Sequence, residues 1–185
     1  MVTVFTIGHS NHPLERFIEL LARHRIEVLA DIRRFPGSRK HPHFNRESLA
    51  AALTAKSIVY EWIEELGGRR KAPAGIVSPN QGLRNESFRN YADYMLTLEF
   101  QQSIDKLLAI AAQRSTAIMC AEGLWWQCHR RLVSDYLVAN GVSVEHIFPN
   151  AQTKPHAMTP EARSAGGRVV YPAVRTLFEG DDSIP

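Results

Sequence analysis

Two hydrophobic patterns alternate along the chain. Five short runs are apolar and rich in β-branched residues: Val2–Ile7, Val28–Ile32, Ser57–Trp62, Thr116–Cys120 and Val142–Phe148. Runs of this length predict strands, and Val2–Ile7 and Thr116–Cys120 read as buried ones. The stretches between them carry apolar residues three and four apart. Leu14, Phe17, Ile18, Leu20 and Leu21 follow Pro13, with Ser10 or Asn11 placed to cap. Leu49 and Leu53 follow Asn45, Phe88–Met95 is periodic, and Leu98–Ala112 contains Leu107, Leu108 and Ile110. Cys128–Asn140 is periodic and closes on Gly141. These spacings predict amphipathic helices. Strand and helix in alternation predict an α/β fold, a mostly parallel sheet of about five strands with helices on both faces in a single domain.

The segments between these elements divide into three kinds. Phe35–Phe44 (FPGSRKHPHF) has too much Pro, Gly and positive charge for regular structure and predicts a loop after the second strand. Residues 71–85 have little periodicity and predict an excursion. After Pro149 the prolines multiply, Gly166-Gly167 appears, and only Arg168–Tyr171 reads as a strand. The division this predicts is an α/β domain over 1–149 and an arm over 150–185 packed on it.

Parallel sheets place their ligand crevice at the carboxyl ends of the strands. Those ends carry His9-Ser10, Asp31 to Arg33, Gly67 to Arg69, and Cys120 to Glu122. Four strand exits, all polar or glycine-rich, are expected on one rim.

Composition narrows the picture only a little. A net charge of +3 is mild, but 17 arginines stand against 5 lysines. The guanidinium fork binds phosphate and carboxylate bidentately, so this balance leans toward anion recognition, although a codon bias gives the same count. No apolar run is long enough for a membrane span. The N-terminus has no basic segment of the signal-peptide kind, and two cysteines do not make a disulfide framework, so a cytoplasmic protein is expected.

Several motifs in one order resemble the family named domain of unknown function 488. They are TIGHS at Thr6–Ser10, ADIRRFPGSRKHPHF at Ala30–Phe44, LGG at Leu66–Gly68, YADYM at Tyr91–Met95, MCAE at Met119–Glu122 and CHR at Cys128–Arg130. The resemblance covers roughly residues 3–148, with PHAMTPEAR at Pro155–Arg163 similar to the family's tail. It implies a small α/β domain of prokaryotic type with Cys, Glu, His and Arg around one cleft. Where relatives carry a short polar, proline-bearing link between MCAE and CHR, this chain has Gly-Leu-Trp-Trp-Gln.

The densest chemistry lies in Ile118–Arg131 (IMCAEGLWWQCHRR). Cys120 at a strand end is either a packed core thiol or a nucleophile with Arg130 near it. Cys128 has the same two readings. Glu122 reads as a general acid/base or as a salt-bridge partner of Arg33 or Arg130. His129, at a helix start, is placed to donate a hydrogen bond or act as a base. Cys120, Glu122, Cys128 and His129 are the catalytic candidates. As a zinc site they have the wrong spacing for a ribbon or finger, and Cys128 and His129, adjacent on a helix, should diverge; no metal and no other cofactor is expected.

The binding candidates are His9, Ser10, Asp31, Arg33, Arg39, Arg69, Arg130, Trp125 and Trp126. His9 and Ser10 adjoin a helix N-terminus that attracts anions. Asp31 is a second rim carboxylate. The arginines, with Phe35, Phe44, Trp125 and Trp126 among them, suit a nucleic-acid backbone held by charge and a base held by stacking. They equally suit a protein interface. The reading favoured by these residues is an enzyme on nucleic acid, a nucleotide or a modified base, a hydrolase or one that acts on the glycosidic bond. The alternatives are a thiol-dependent enzyme or redox sensor of small substrates, and a nucleic-acid-binding module without chemistry. The expected partner is nucleic acid or a phosphate-bearing small molecule, not a membrane. Oligomeric state is not legible.

Overall fold

Side-chain parity along the strands places everything that follows. The computed structural model describes residues 2–72 and 75–173. Residues 73 and 74 of the expected excursion and 174–185 of the expected arm lie outside the described residues. Five parallel strands, β1 (Thr3–Gly8), β2 (Val28–Asp31), β3 (Val59–Trp62), β4 (Thr116–Cys120) and β5 (Ser143–Ile147), form one sheet with the short strand β6 (Thr153–Pro155). Their order is β3-β2-β4-β1-β5-β6, and β6 runs antiparallel to β5. The fold is α/β, as expected, with one strand more. That strand, Thr-Lys-Pro, is exposed at every position and carries no hydrophobic signal. A proline and a lysine suit an edge.

Helices α1 (Leu14–Arg23) and α2 (Arg46–Thr54) cover one face; α3 (Glu86–Tyr94), α4 (Leu98–Ala111) and α5 (Arg130–Ala139) cover the other. In β4, Ala117 and Met119 pack with Phe17, Leu20, Leu49 and Leu53 of α1 and α2. Ile118 packs on the opposite face with Tyr91, Phe100 and Leu132. By the two-residue period Cys120 shares the face of Ile118 and emerges where α5 begins. Connections leave β1 and β2 over one face and β4 over the other, so β4 sits at the switch in winding direction, where α/β sheets open a crevice.

Two caps differ from expectation. The N-cap of α1 is Pro13, without a side-chain cap bond. Asn45 precedes α2 but does not cap it; its Oδ1 accepts from the Ser38 N–H at 2.5 Å and ties the 35–44 loop to the helix start.

The segment after Pro149 also contains a hairpin of β7 (Arg163–Ala165) and β8 (Arg168–Val170). It turns on Gly166 and Gly167, with φ of 55° and 76°, the left-handed pair a tight hairpin needs. This segment is tied down by a buried chain of polar groups. Asp135 on α5 accepts from the Thr159 N–H (2.7 Å), the Tyr171 hydroxyl (2.8 Å) and His156 Nε2–H (2.9 Å). His156 Nδ1 then accepts from His146 Nε2–H (2.9 Å), and His146 Nδ1 from the Thr6 hydroxyl (2.7 Å). Every donor points the same way, with His146 neutral. Burial holds His146 down at about 3 from its ordinary 6.5, assisted by His156 and Arg130.

That depression sets a pH dependence. Above pH 6.5 His146 is neutral both folded and unfolded. As pH falls from 6.5 toward 3 the unfolded chain takes a proton the folded chain refuses, so stability falls across this window. At about pH 4.5 the expected loss from this residue is about 2–3 kcal/mol relative to about pH 7. Urea midpoints at the two pH values measure it, and His146→Gln flattens the difference.

Candidate functional site

A cleft of about 440 Å3 opens at the switch point. The exits of β2 (Arg33 to Phe35), β3 (Gly68, Arg69) and β4 (Cys120 to Glu122) line it, with Ser87, Phe88 and Tyr91 of α3 and Cys128-His129 at the start of α5. The β1 exit, His9-Ser10, does not. His9 is buried behind Arg33, stacked on Phe44 at 4.3 Å between ring centres, and Ser10 lines a separate pocket with Gly123 and Pro149.

Two glycines let the β3 exit close in. A Cβ at Gly67 would stand 2.6 Å from the Arg34 backbone nitrogen, and one at Gly68 would stand 3.0 Å from the His129 ring. Any larger residue would push the Leu66–Gly68 turn off its neighbours.

Cys120, Cys128 and His129 form the floor, at 8%, 3% and 9% exposure. The expected divergence of Cys128 and His129 does not occur, because α5 begins only at Arg130. Cys128 is extended (φ −130°, ψ 156°), so the helical 100° step between neighbours does not apply. His129 Nε2 donates to the Ile32 carbonyl at 3.1 Å, leaving Nδ1 to face both sulfurs, Cys128 at 3.5 Å and Cys120 at 3.8 Å. The Arg130 backbone N–H reaches Cys128 Sγ at 3.5 Å. Their ligand atoms lie within 4.8 Å of one another, the one group of three metal-competent donors among the described residues.

The two thiols are driven apart. The hydrogen bond it gives Cys128, together with burial, pushes Cys120 well above the ordinary thiol value. Burial also pushes Cys128 up, but the bond from Cys120, His129 and Arg130 outweigh it and hold Cys128 well below. Of the pair, Cys128 is the one whose surroundings favour the thiolate.

Glu122 is exposed on the cleft wall and is the one carboxylate among the described lining residues. Its backbone carbonyl accepts from Arg130, whose side chain is buried under the loop. Arg130 therefore holds the Glu122-Gly123 turn and does not line the cleft. Asp31 is fully buried and paired with Arg33 through contacts of 2.5, 2.9 and 3.1 Å; Tyr60 donates to the same carboxylate at 2.6 Å. Burial alone would lower the Arg33 pKa, and Asp31 more than reverses it. Burial and Arg33 lower His9 to about 4, so it stays neutral.

Arg33 reaches the cleft with its charge already matched, whereas Arg34 and the exposed Arg69 have no carboxylate among their recorded contacts. Arg69 sits in the left-handed region at φ 58°, a strained placement for a bulky residue on a cleft wall. Arg39 lines a neighbouring surface hollow with Pro36 and Glu47. Trp125 stacks on His146 (4.2 Å, 4° between planes), and Trp126 is 42% exposed above β6 with Asn150 and Lys154. Neither tryptophan lines the cleft, and the adjacent aromatic residues there are Phe35, Phe88 and Tyr91.

Arg34, Ser87, Phe88, Tyr91 and Gln127 are lining residues that spacing did not single out. Tyr91 had a signal in the YADYM motif: its hydroxyl donates to the Leu66 carbonyl at 2.6 Å and its ring packs on His129.

The profile of the domain of unknown function DUF488 matches residues 13–137, well over half of the chain. The chain belongs to the DUF488 family. The match spans α1 through most of α5 and so includes every residue lining the cleft. No curated protein and no solved structure matches the chain. In this DUF488 chain no helix among the described residues is long and apolar enough to cross a membrane.

Proposed function

We propose that this DUF488 domain is a hydrolytic enzyme acting on a nucleotide or a modified base, free or within nucleic acid. One observation carries the reading: Cys120, Cys128 and His129 floor a cleft whose walls offer Arg34 and Arg69 for phosphate, Phe35 and Phe88 for an aromatic ring, and Glu122 for proton transfer. Phe35 is 63% exposed, a position that suits stacking on a ligand ring. A pocket of a few hundred Å3 fits one nucleotide unit. Hydrolysis needs only water as co-reactant: its hydroxyl joins the attacked carbon, and its proton leaves with the departing group.

The test is binding followed by turnover. Fluorescence anisotropy with short single-stranded DNA and RNA, and calorimetry with nucleoside monophosphates, should show affinity that falls with salt. Arg34→Ala and Arg69→Ala should each weaken it about tenfold, the scale of one charge-assisted hydrogen bond. Mass spectrometry of modified-base oligonucleotides should then show a water-addition product that Glu122→Gln abolishes. Absence of binding to every probe, or binding indifferent to both arginines, rejects the reading.

A further inference from the structure

We propose that Cys120, Cys128 and His129 hold a zinc ion whose fourth coordination position opens into the cleft. Spacing alone gave no reason to expect this, since C-x7-C-H matches no ribbon or finger. The geometry of the folded chain supplies three reasons.

The first is distance. Zinc bonds of about 2.3 Å to sulfur and about 2.0–2.1 Å to nitrogen, at tetrahedral angles, set sulfur and nitrogen about 3.5–3.6 Å apart. His129 Nδ1 stands 3.5 Å from Cys128 Sγ and 3.8 Å from Cys120 Sγ. Nδ1 has one lone pair, and a simple hydrogen bond would use it for one sulfur. Two sulfurs flanking the same nitrogen is how donors stand around a shared ion.

The second is the surrounding support. A metal-ligating histidine typically donates its other N–H to a carbonyl or carboxylate, which fixes the tautomer. His129 Nε2 does so to Ile32 at the end of β2. The Cys128 sulfur accepts the Arg130 backbone N–H at the start of α5, and Arg130 lies buried beside the pair. These contacts favour sulfur in its anionic, ligating form.

The third is coordination number. Structural zinc sites close with four protein ligands, whereas catalytic ones use three and leave a place for water. Among the described residues the donors here number three, and all line the cleft. Two thiolates would offset the charge of Zn2+, an ion placed there would supply a Lewis acid at the cleft floor, and Glu122 on the cleft wall would be the carboxylate placed to handle a proton. The inference concerns the floor of the cleft and not its ligand, so zinc content and nucleotide binding succeed or fail separately.

The test uses the tag-free chain grown with added zinc and dialysed. Elemental analysis should find about one zinc per chain. Replacement by Co2+ should give the near-ultraviolet thiolate-to-cobalt absorption of two sulfur ligands, a readout on the native sequence that needs no variant. Cys120→Ser, Cys128→Ser and His129→Gln should each cut zinc affinity at least tenfold while far-ultraviolet circular dichroism stays native. Zinc well below one per chain, cobalt without thiolate absorption, or zinc retained by all three variants overturns the site. Rapid alkylation of one cysteine at the same rate with and without zinc also overturns it, and returns the cluster to thiol chemistry.

Discussion

Asp135→Ala should destabilise the protein by about 3–5 kcal/mol, the scale of breaking a buried, fully bonded charge. Asp135 is fully buried and accepts from Thr159, His156 and Tyr171. Its removal leaves three donors without an acceptor and unties the segment after Pro149 from α5. Urea denaturation measures the loss. Limited proteolysis should show cleavage between β6 and β8 before the sheet opens. A loss below about 1 kcal/mol would mean that water or a neighbour replaces the carboxylate, and that this chain does not anchor the segment. Asp135→Asn should be milder, because its carboxamide oxygen still accepts.

The second large effect is at Arg33. Arg33→Ala removes the partner of a carboxylate with no solvent exposure and should also cost about 3–5 kcal/mol. It further frees the Phe44 carbonyl, which Arg33 Nη2 holds at 2.9 Å, and so loosens the 35–44 loop. The discriminating measurement is the double replacement Asp31→Leu/Arg33→Ala. If Arg33 is chiefly a structural partner, removing both charges recovers most of the stability lost in the single variant. If Arg33 is chiefly a phosphate ligand, the single variant unfolds like the native chain and loses anion binding instead. Arg34 and Arg69 should show the opposite pattern, with binding changed and stability nearly unmoved.

These contrasts trace what could be read from the chain. The five parallel strands and five helices among the described residues were legible, because each strand is a short apolar run and each helix carries a 3.6-residue pattern, signals that need only a few neighbouring residues. β4, Thr116–Cys120, has the same limits in sequence and in structure. β6 was not legible, since an exposed three-residue edge strand needs no hydrophobic signal and exists only because β5 offers an edge. Trp125 illustrates the same gap. Its indole was expected to stack on a base or face a protein partner, and it stacks on His146 of β5.

The site divides in the same way. Cys120, Glu122, Cys128 and His129 were legible as chemistry, because reactive side chains were concentrated at one strand exit. Their mutual geometry was not. Whether Cys128 and His129 diverge depends on where α5 starts, and that depends on the 3-10 turn Trp125–Gln127 before it. Arg33 pairs with Asp31, two residues away, and not with Glu122, whose side chain stays exposed on the cleft wall.

The sequence by itself determined the order of elements, their direction in the sheet and the rim at which reactive groups gather, for these follow from local periodicity and from the handedness of strand crossovers. Only the tertiary structure decided which arginines face the cleft and which are spent on buried carboxylates, and that one imidazole nitrogen faces two sulfurs. The imidazole is set by a contact between residues far apart in the chain, His129 with Ile32, and no spacing rule reaches across the turns that bring them together; Arg33 lies only two residues from Asp31, but which of its neighbours is buried is settled by the packing around the strand end.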